Sequence, residues 1–244
     1  MNKFVKTLLA AFALVSTAAF ATPVYVSDSQ GNLGTVEADG TVNLIGNLGV
    51  TMFDIAVDSS GGLWGITPSH LYSIDANNGN TTLVGALGSF ANALVFADDG
   101  TLYAAGGTNL FTIDTNSGLA SLVGNTGFGS GGDLAFDGSG QLYLSDGSGN
   151  LIAVDENTGA GTLVGATGIN SVYGLGFADG NMYAYSGTNI YDLDLNTGNA
   201  TFLASYAGQG LGAAYGAAVN VPEPAAILIF GLGLLGLVRR QRRA

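Results

Sequence analysis

The chain has 244 residues, with six Lys and Arg against 18 Asp and Glu, a single His and no Cys. The missing thiols exclude disulfide staples, thiolate metal sites and Cys nucleophiles together. Every basic residue (Lys3, Lys6, Arg239, Arg240, Arg242 and Arg243) lies at one of the two ends. The long acidic middle therefore lacks the cations that hold phosphate, and nucleic acid is not an expected partner.

The N-terminal residues 1–21 carry Lys3 and Lys6, an apolar stretch from Leu8 to Val15, and the small-x-small close Ala19-Phe20-Ala21. This order predicts a secretory signal helix cleaved before Thr22, with the general secretion machinery as the export route. The stretch is short for a bilayer span, so an uncleaved anchor is the lesser reading.

Residues 22–220 repeat with a period of about 40, which decides the fold. One copy runs Phe53-Asp54-Ile55-Ala56-Val57, Leu63-Trp64-Gly65-Ile66, Leu71-Tyr72-Ser73-Ile74-Asp75, Thr82-Leu83-Val84-Gly85. Three more copies start at Ala93, Asp133 and Gly174, each giving four short β-rich runs. Forty glycines beside 47% apolar residues indicate many turns around a core, not disorder.

The array is split at its ends. Val24-Tyr25-Val26, Leu33 to Glu37 and Val42 to Gly46 match runs two, three and four, with no first run before them. The missing run is read at Leu211-Gly212-Ala213-Ala214-Tyr215-Gly216. Three strands from one end and one from the other complete a sheet, which predicts an all-β fold. It is a five-bladed β-propeller of four-stranded antiparallel blades, closed by its N- and C-terminal strands. Tyr25, Trp64, Tyr103, Tyr143 and Tyr183 recur at one place in the second strand and are expected to pack between blades.

Asp75, Asp114, Asp155 and Asp194 each open a linker that closes on Gly79, Gly118, Gly159 or Gly198. Asp accepts from nearby main-chain N–H groups and Gly takes positive φ, so these read as turns, with a metal role as the alternative. Asp192, Asp194 and Asn196 begin like a calcium loop but lack its glycine and its bidentate acid. Calcium is the one cofactor for which the sequence offers even a partial loop. His70 starts a third strand where other copies have Asn32, Asn109, Asn150 and Asn189, so a turn role is expected and no Ser-His-Asp triad can be placed.

First strands line a propeller's axis, and the converging positions are read as Asp54, Ala93, Asp133, Gly174 and Gly212. Two carboxylates among small residues define a candidate channel site for a ligand or cation. The same pair is the only candidate acid and base for a polysaccharide hydrolase or lyase, since glycosides can be cleaved by two carboxylates.

Residues 221–244 hold Val221-Pro222-Glu223-Pro224, an unbroken apolar run over 225–238, and a basic tail over 239–244 with Arg239, Arg240, Arg242 and Arg243. Fourteen helical residues cover about 21 Å of a hydrocarbon core about 30 Å thick, so this transmembrane helix would anchor weakly, its arginines on the cytoplasmic side. The three features in this order resemble the PEP-CTERM sorting signal of Gram-negative bacteria. The resemblance implies that an exosortase, a membrane cysteine protease, recognises Pro222-Glu223-Pro224 and removes the tail after transient inner-membrane anchoring. Release to the envelope, outer surface or extracellular matrix would follow. The expectation is a non-catalytic exported propeller whose partners are exopolysaccharide or surface proteins, with the polysaccharide-active enzyme as the alternative.

Overall fold

In a computed structural model, residues 22–219 are described. The signal segment, the sorting motif, the apolar run and the basic tail lie outside them. The described residues contain twenty strands and no helix. In chain order these are β1 Val24–Asp28, β2 Asn32–Val36 and β3 Val42–Asn47, then β4 Asp54–Val57, β5 Leu63–Thr67, β6 His70–Ile74 and β7 Thr81–Ala86. There follow β8 Ala93–Phe96, β9 Leu102–Gly106, β10 Asn109–Ile113 and β11 Ala120–Asn125, and β12 Ser130–Phe136, β13 Leu142–Asp146, β14 Asn150–Val154 and β15 Gly161–Ala166. The last are β16 Val172–Ala178, β17 Asn181–Ser186, β18 Asn189–Leu193, β19 Ala200–Ser205 and β20 Ala214–Val219.

Four sheets are consecutive antiparallel meanders, and the fifth has the order β20-β1-β2-β3. The five first strands β4, β8, β12, β16 and β20 touch their neighbours in a closed ring. This is the five-bladed propeller, its last blade joined through pairs such as Val24 with Val219 and Tyr25 with Ala218. Closure removes the open ends an array would otherwise present to other chains.

The register of β20 corrects one expectation. Tyr25 pairs with Ala218 and Ser27 with Gly216, as Trp64 pairs with Ala56 and Ile66 with Asp54. The fifth axial position is therefore Gly216, four residues beyond Gly212. Gly212 lies before the strand, where its N–H donates to the buried Asp28 carboxylate at 2.8 Å. Leu211 supplies core packing with Val26, Tyr206 and Ala214. Four of the six residues of the strand are Ala or Gly, so it has little of the apolar signature by which the other first strands are recognised.

The aromatic residues of the second strands do pack between blades. Trp64 meets Phe96 of the next blade edge-on with ring centroids 6.1 Å apart, and Tyr103 meets Phe136 at 6.0 Å. Trp64 also donates its indole N–H to Asp58 at 2.8 Å. The Asp-to-Gly linkers are tight turns: Asp114 Oδ1 accepts from Asn116 N at 2.7 Å, and Gly118 adopts φ 79°.

Each of these turns presses on the preceding blade's outer strand. A Cβ at Gly85 would stand 1.9 Å from Ser117 O, one at Gly124 1.9 Å from Thr158 O, and one at Gly165 2.0 Å from Thr197 O. The recurring Leu-Val-Gly of the fourth run thus ends in glycine because the next blade's turn occupies the space of a side chain. Every outer strand leaves a large apolar residue exposed, Leu44, Leu83, Leu122 and Leu163 in four of them and both Phe202 and Leu203 in the fifth.

Candidate functional site

Each first strand is a sheet edge, so its inward N–H groups have no strand to pair with and must find another acceptor. Ile55, Leu94, Leu134, Leu175 and Ala217 each follow one of the five axial positions, and their N–H groups converge on the axis. Two carboxylates receive them. Asp54 accepts from Ile55 N at 2.7 Å and from Leu94 N at 2.6 Å. Asp133 accepts from Leu134 N at 2.6 Å, from Leu175 N, and from the main chain of Ala217. The pair thereby ties all five blades together.

Both side chains are wholly buried. Burial pushes each well above the ordinary carboxylate range, and the charge of Asp133 raises Asp54 further. The hydrogen bond between them favours the proton on Asp54 and the negative charge on Asp133, where three main-chain donors converge. The small residues opposite leave no gap between the blades here: a Cβ at Gly216 would stand 2.6 Å from both Asp54 Cα and Asp54 Oδ1. The sequence brought the right two residues to the axis, and the structure makes them a plug.

On one side of the plug the axis opens into a funnel of about 480 Å³. Its walls are apolar, including Ile55, Leu94, Leu134 and Leu175, and its rim carries Asp98, Asp137 and Asp179. Thr22 reaches this rim, donating from its N to Asp179 Oδ2 at 2.9 Å and from Oγ1 to Asp179 Oδ1 at 3.2 Å.

On the other side lies a basin of about 270 Å³ lined by Phe53, Asn92, Gly131, Gly132, Tyr173 and Tyr215. Five of these immediately precede the axial positions, so the ring of five is read again one residue earlier. Tyr215 stands edge-on to Phe53 at 6.4 Å and to Tyr173 at 6.0 Å, each at 80°. Sequence reasoning missed this basin. Taking the residue before each axial position would have found it, had the last strand been placed in register.

The remaining candidates sit apart from the axis. Asp192 is in β18 and Asp194 opens a turn, with Oδ1 accepting from Asn196 N at 2.8 Å. Among the described residues no three His, Asp or Glu side chains converge as metal ligands. His70 Nδ1 lies 2.9 Å from Ser69 Oγ at the turn into β6. Among the described residues, Asp54 and Asp133 are the candidates from different blades that the fold brings together.

Residues 220–243 match the family described as the PEP-CTERM protein-sorting motif. A comparison with curated proteins finds no match. Among solved structures the chain is similar to one titled Nidogen/Laminin Complex, at TM-score 0.53 and 12% identity over 84% of this chain and 86% of that one. It is also similar to a gluconolactonase of Xanthomonas campestris, at TM-score 0.53 and 18% identity over 76% and 73% of the two chains. Against a Kuenenia stuttgartiensis hydrazine synthase the figures are 0.46 and 14% over 62% of this chain, and only 47% of that chain is spanned. At such identities the likeness is one of fold.

Proposed function

We propose that this is an exported, non-catalytic binding propeller. The sorting motif at 220–243 implies exosortase processing and export to the cell envelope or surface. On that basis the domain works outside the inner membrane, as a surface or matrix component that engages polysaccharide or neighbouring surface proteins.

One observation carries the non-catalytic part. The only acid and base pair on the axis is fully buried, with its oxygens held by main-chain N–H groups of the five first strands. A general acid must reach the bond it protonates, and a nucleophile or base needs a free lone pair aimed at substrate. Asp54 and Asp133 offer neither, which supports a structural role for them. The exposed apolar residue on each outer strand is suited to lateral contacts in a matrix.

The test is incubation of the purified processed protein with the polysaccharide of its host. Retention of polysaccharide without new reducing ends is expected. New reducing ends that disappear in Asp54→Asn would establish the hydrolase or lyase reading instead.

A further inference from the structure

We propose that the basin above the plug seats one neutral sugar residue of a glycan chain. The inference rests on reading the propeller as a binding module and assigns the place and chemical class of its ligand.

The basin is blind. Below it lies the carboxylate plug, and its wall is built by all five blades, four through a side chain and one through Gly131 and Gly132, so a ligand enters along the axis from one face only. A volume of about 270 Å³ falls just below the range of drug-sized sites, which start at roughly 300 Å³. One sugar ring fits that size; an extended peptide does not.

Its chemistry is aromatic and uncharged at the lining. Tyr173 is 37% exposed, which is high for a large aromatic ring beside a closed core. Tyr215 meets both of its neighbours edge-to-face and stacks flat on neither, and the exposed part of Tyr173 stays available to an incoming ring. The fifth position is Gly132, where a Cβ would come within 2.9 Å of Tyr173 Cδ1. Tyr173 can lie over that side of the basin only because no side chain stands there.

Two polar atoms ask for a partner. Asn92 Oδ1 and Ser130 Oγ are buried with no hydrogen bond, and the Asn92 amide is held only through a 3.3 Å bond from Nδ2 to Ser130 O. Leaving such groups unmade costs about 1–3 kcal/mol each, and Asn92 lines the basin. A purely apolar ligand would leave them unpaired. An anion would find no Lys or Arg anywhere in the domain to pair with. A cation would find no acid in the lining. A polyhydroxylated neutral ring satisfies all three conditions, stacking its C–H face on the aromatic wall and giving a hydroxyl to Asn92.

The experiment is saturation-transfer NMR on the processed protein from its host, with glucose, galactose, mannose, xylose and N-acetylglucosamine as probes and glucuronate as the charged control. At least one neutral sugar should receive transfer, bind more tightly than glucuronate, and lose about tenfold in affinity in Tyr173→Ala and in Asn92→Ala. Asn92→Ala removes an unpaired acceptor and should keep the wild-type melting temperature, so it carries the test if Tyr173→Ala folds poorly. Transfer to none of the neutral sugars, equal affinity in both variants, or preference for glucuronate overturns the proposal. Polysaccharide retention that neither variant reduces would leave the binding module standing and remove the sugar seat. New reducing ends would remove both.

Discussion

Asp54 and Asp133 lie together on the propeller axis, and between them the two side chains take the inward N–H groups of all five first strands. Removing one partner strands a buried charge or several buried donors. Asp133→Ala should therefore cost about 3–5 kcal/mol of unfolding free energy. Asp54→Asn keeps a donor toward Asp133 but turns an N–H toward a main-chain N–H, and should cost about 1–3 kcal/mol. Urea titrations of the two variants check the order; equal and negligible losses would deny the pair its structural role.

The same pair sets a pH dependence. Because burial raises both carboxyls, the folded protein keeps a proton that the unfolded chain releases above about pH 4. The folded state binds more protons in that interval, so this contribution is fully present below it and is lost as pH rises toward the folded pKa. Asp39, Asp75, Asp99, Asp114, Asp155 and Asp194 act oppositely. Main-chain N–H groups two residues on lower them, so their contribution is present above about pH 4 and lost as pH falls further. The melting temperature should decline from about pH 5 to pH 8, and Asp54→Asn should flatten that decline. An unchanged slope in the variant would assign it to general carboxylate repulsion.

Blade contacts make a third prediction. Gly85→Ala and Gly124→Ala each drive a methyl into a turn carbonyl of the following blade, and each should cost at least about 1–3 kcal/mol. Gly129, which has open space where a Cβ would go and no positive φ, should accept Ala within about 0.5 kcal/mol. Thermal melts of the three variants compare them directly.

The blade count and the shared sheet were legible because apolar runs and Asp-to-Gly turns recur at a fixed period, and a split copy at the two ends leaves few topologies. Asp54 and Asp133 were legible as axial residues for the same reason. Their chemistry was not, since it depends on five main-chain N–H groups that carry no sequence signature. The last strand was misplaced by four residues because Gly216 and Ala217 are small, Ala217 where its counterparts are Ile55, Leu94, Leu134 and Leu175. That smallness is itself imposed by the axis, where Gly216 lies against Asp54. The basin was lost with it, because Tyr215 only joins Phe53 and Tyr173 once the strand is in register.

Closure can be tested by removing β20, residues 214–219. The deletion exposes the edge of β1, withdraws Ala217 from the plug and opens the core around Val26 and Tyr206. An exposed strand edge beside an uncovered apolar core should drive association. Size-exclusion chromatography should show oligomers or aggregate in place of a monomer. A monomeric truncation with the wild-type melting temperature would contradict the ring.

Processing at the N-terminus supplies the last prediction. Thr22 already places its main-chain N at 2.9 Å and its hydroxyl at 3.2 Å from the two oxygens of Asp179. Cleavage before Thr22 turns that nitrogen from an amide into an ammonium, in a domain with no Lys or Arg of its own. The existing hydrogen bond then becomes an ion pair that fastens the free end to the blade of β16 and β17. Such a surface pair contributes about 0.2–1 kcal/mol. Asp179→Asn should therefore lower the melting temperature of protein beginning at Thr22 by a small, reproducible amount at low salt. The difference should shrink in high salt, which screens exposed charge, and should vanish in protein acetylated at the Thr22 nitrogen. Equal loss in the acetylated form would reduce the contact to an ordinary hydrogen bond, and N-terminal sequencing of the native protein that begins elsewhere would remove the ammonium from this rim altogether.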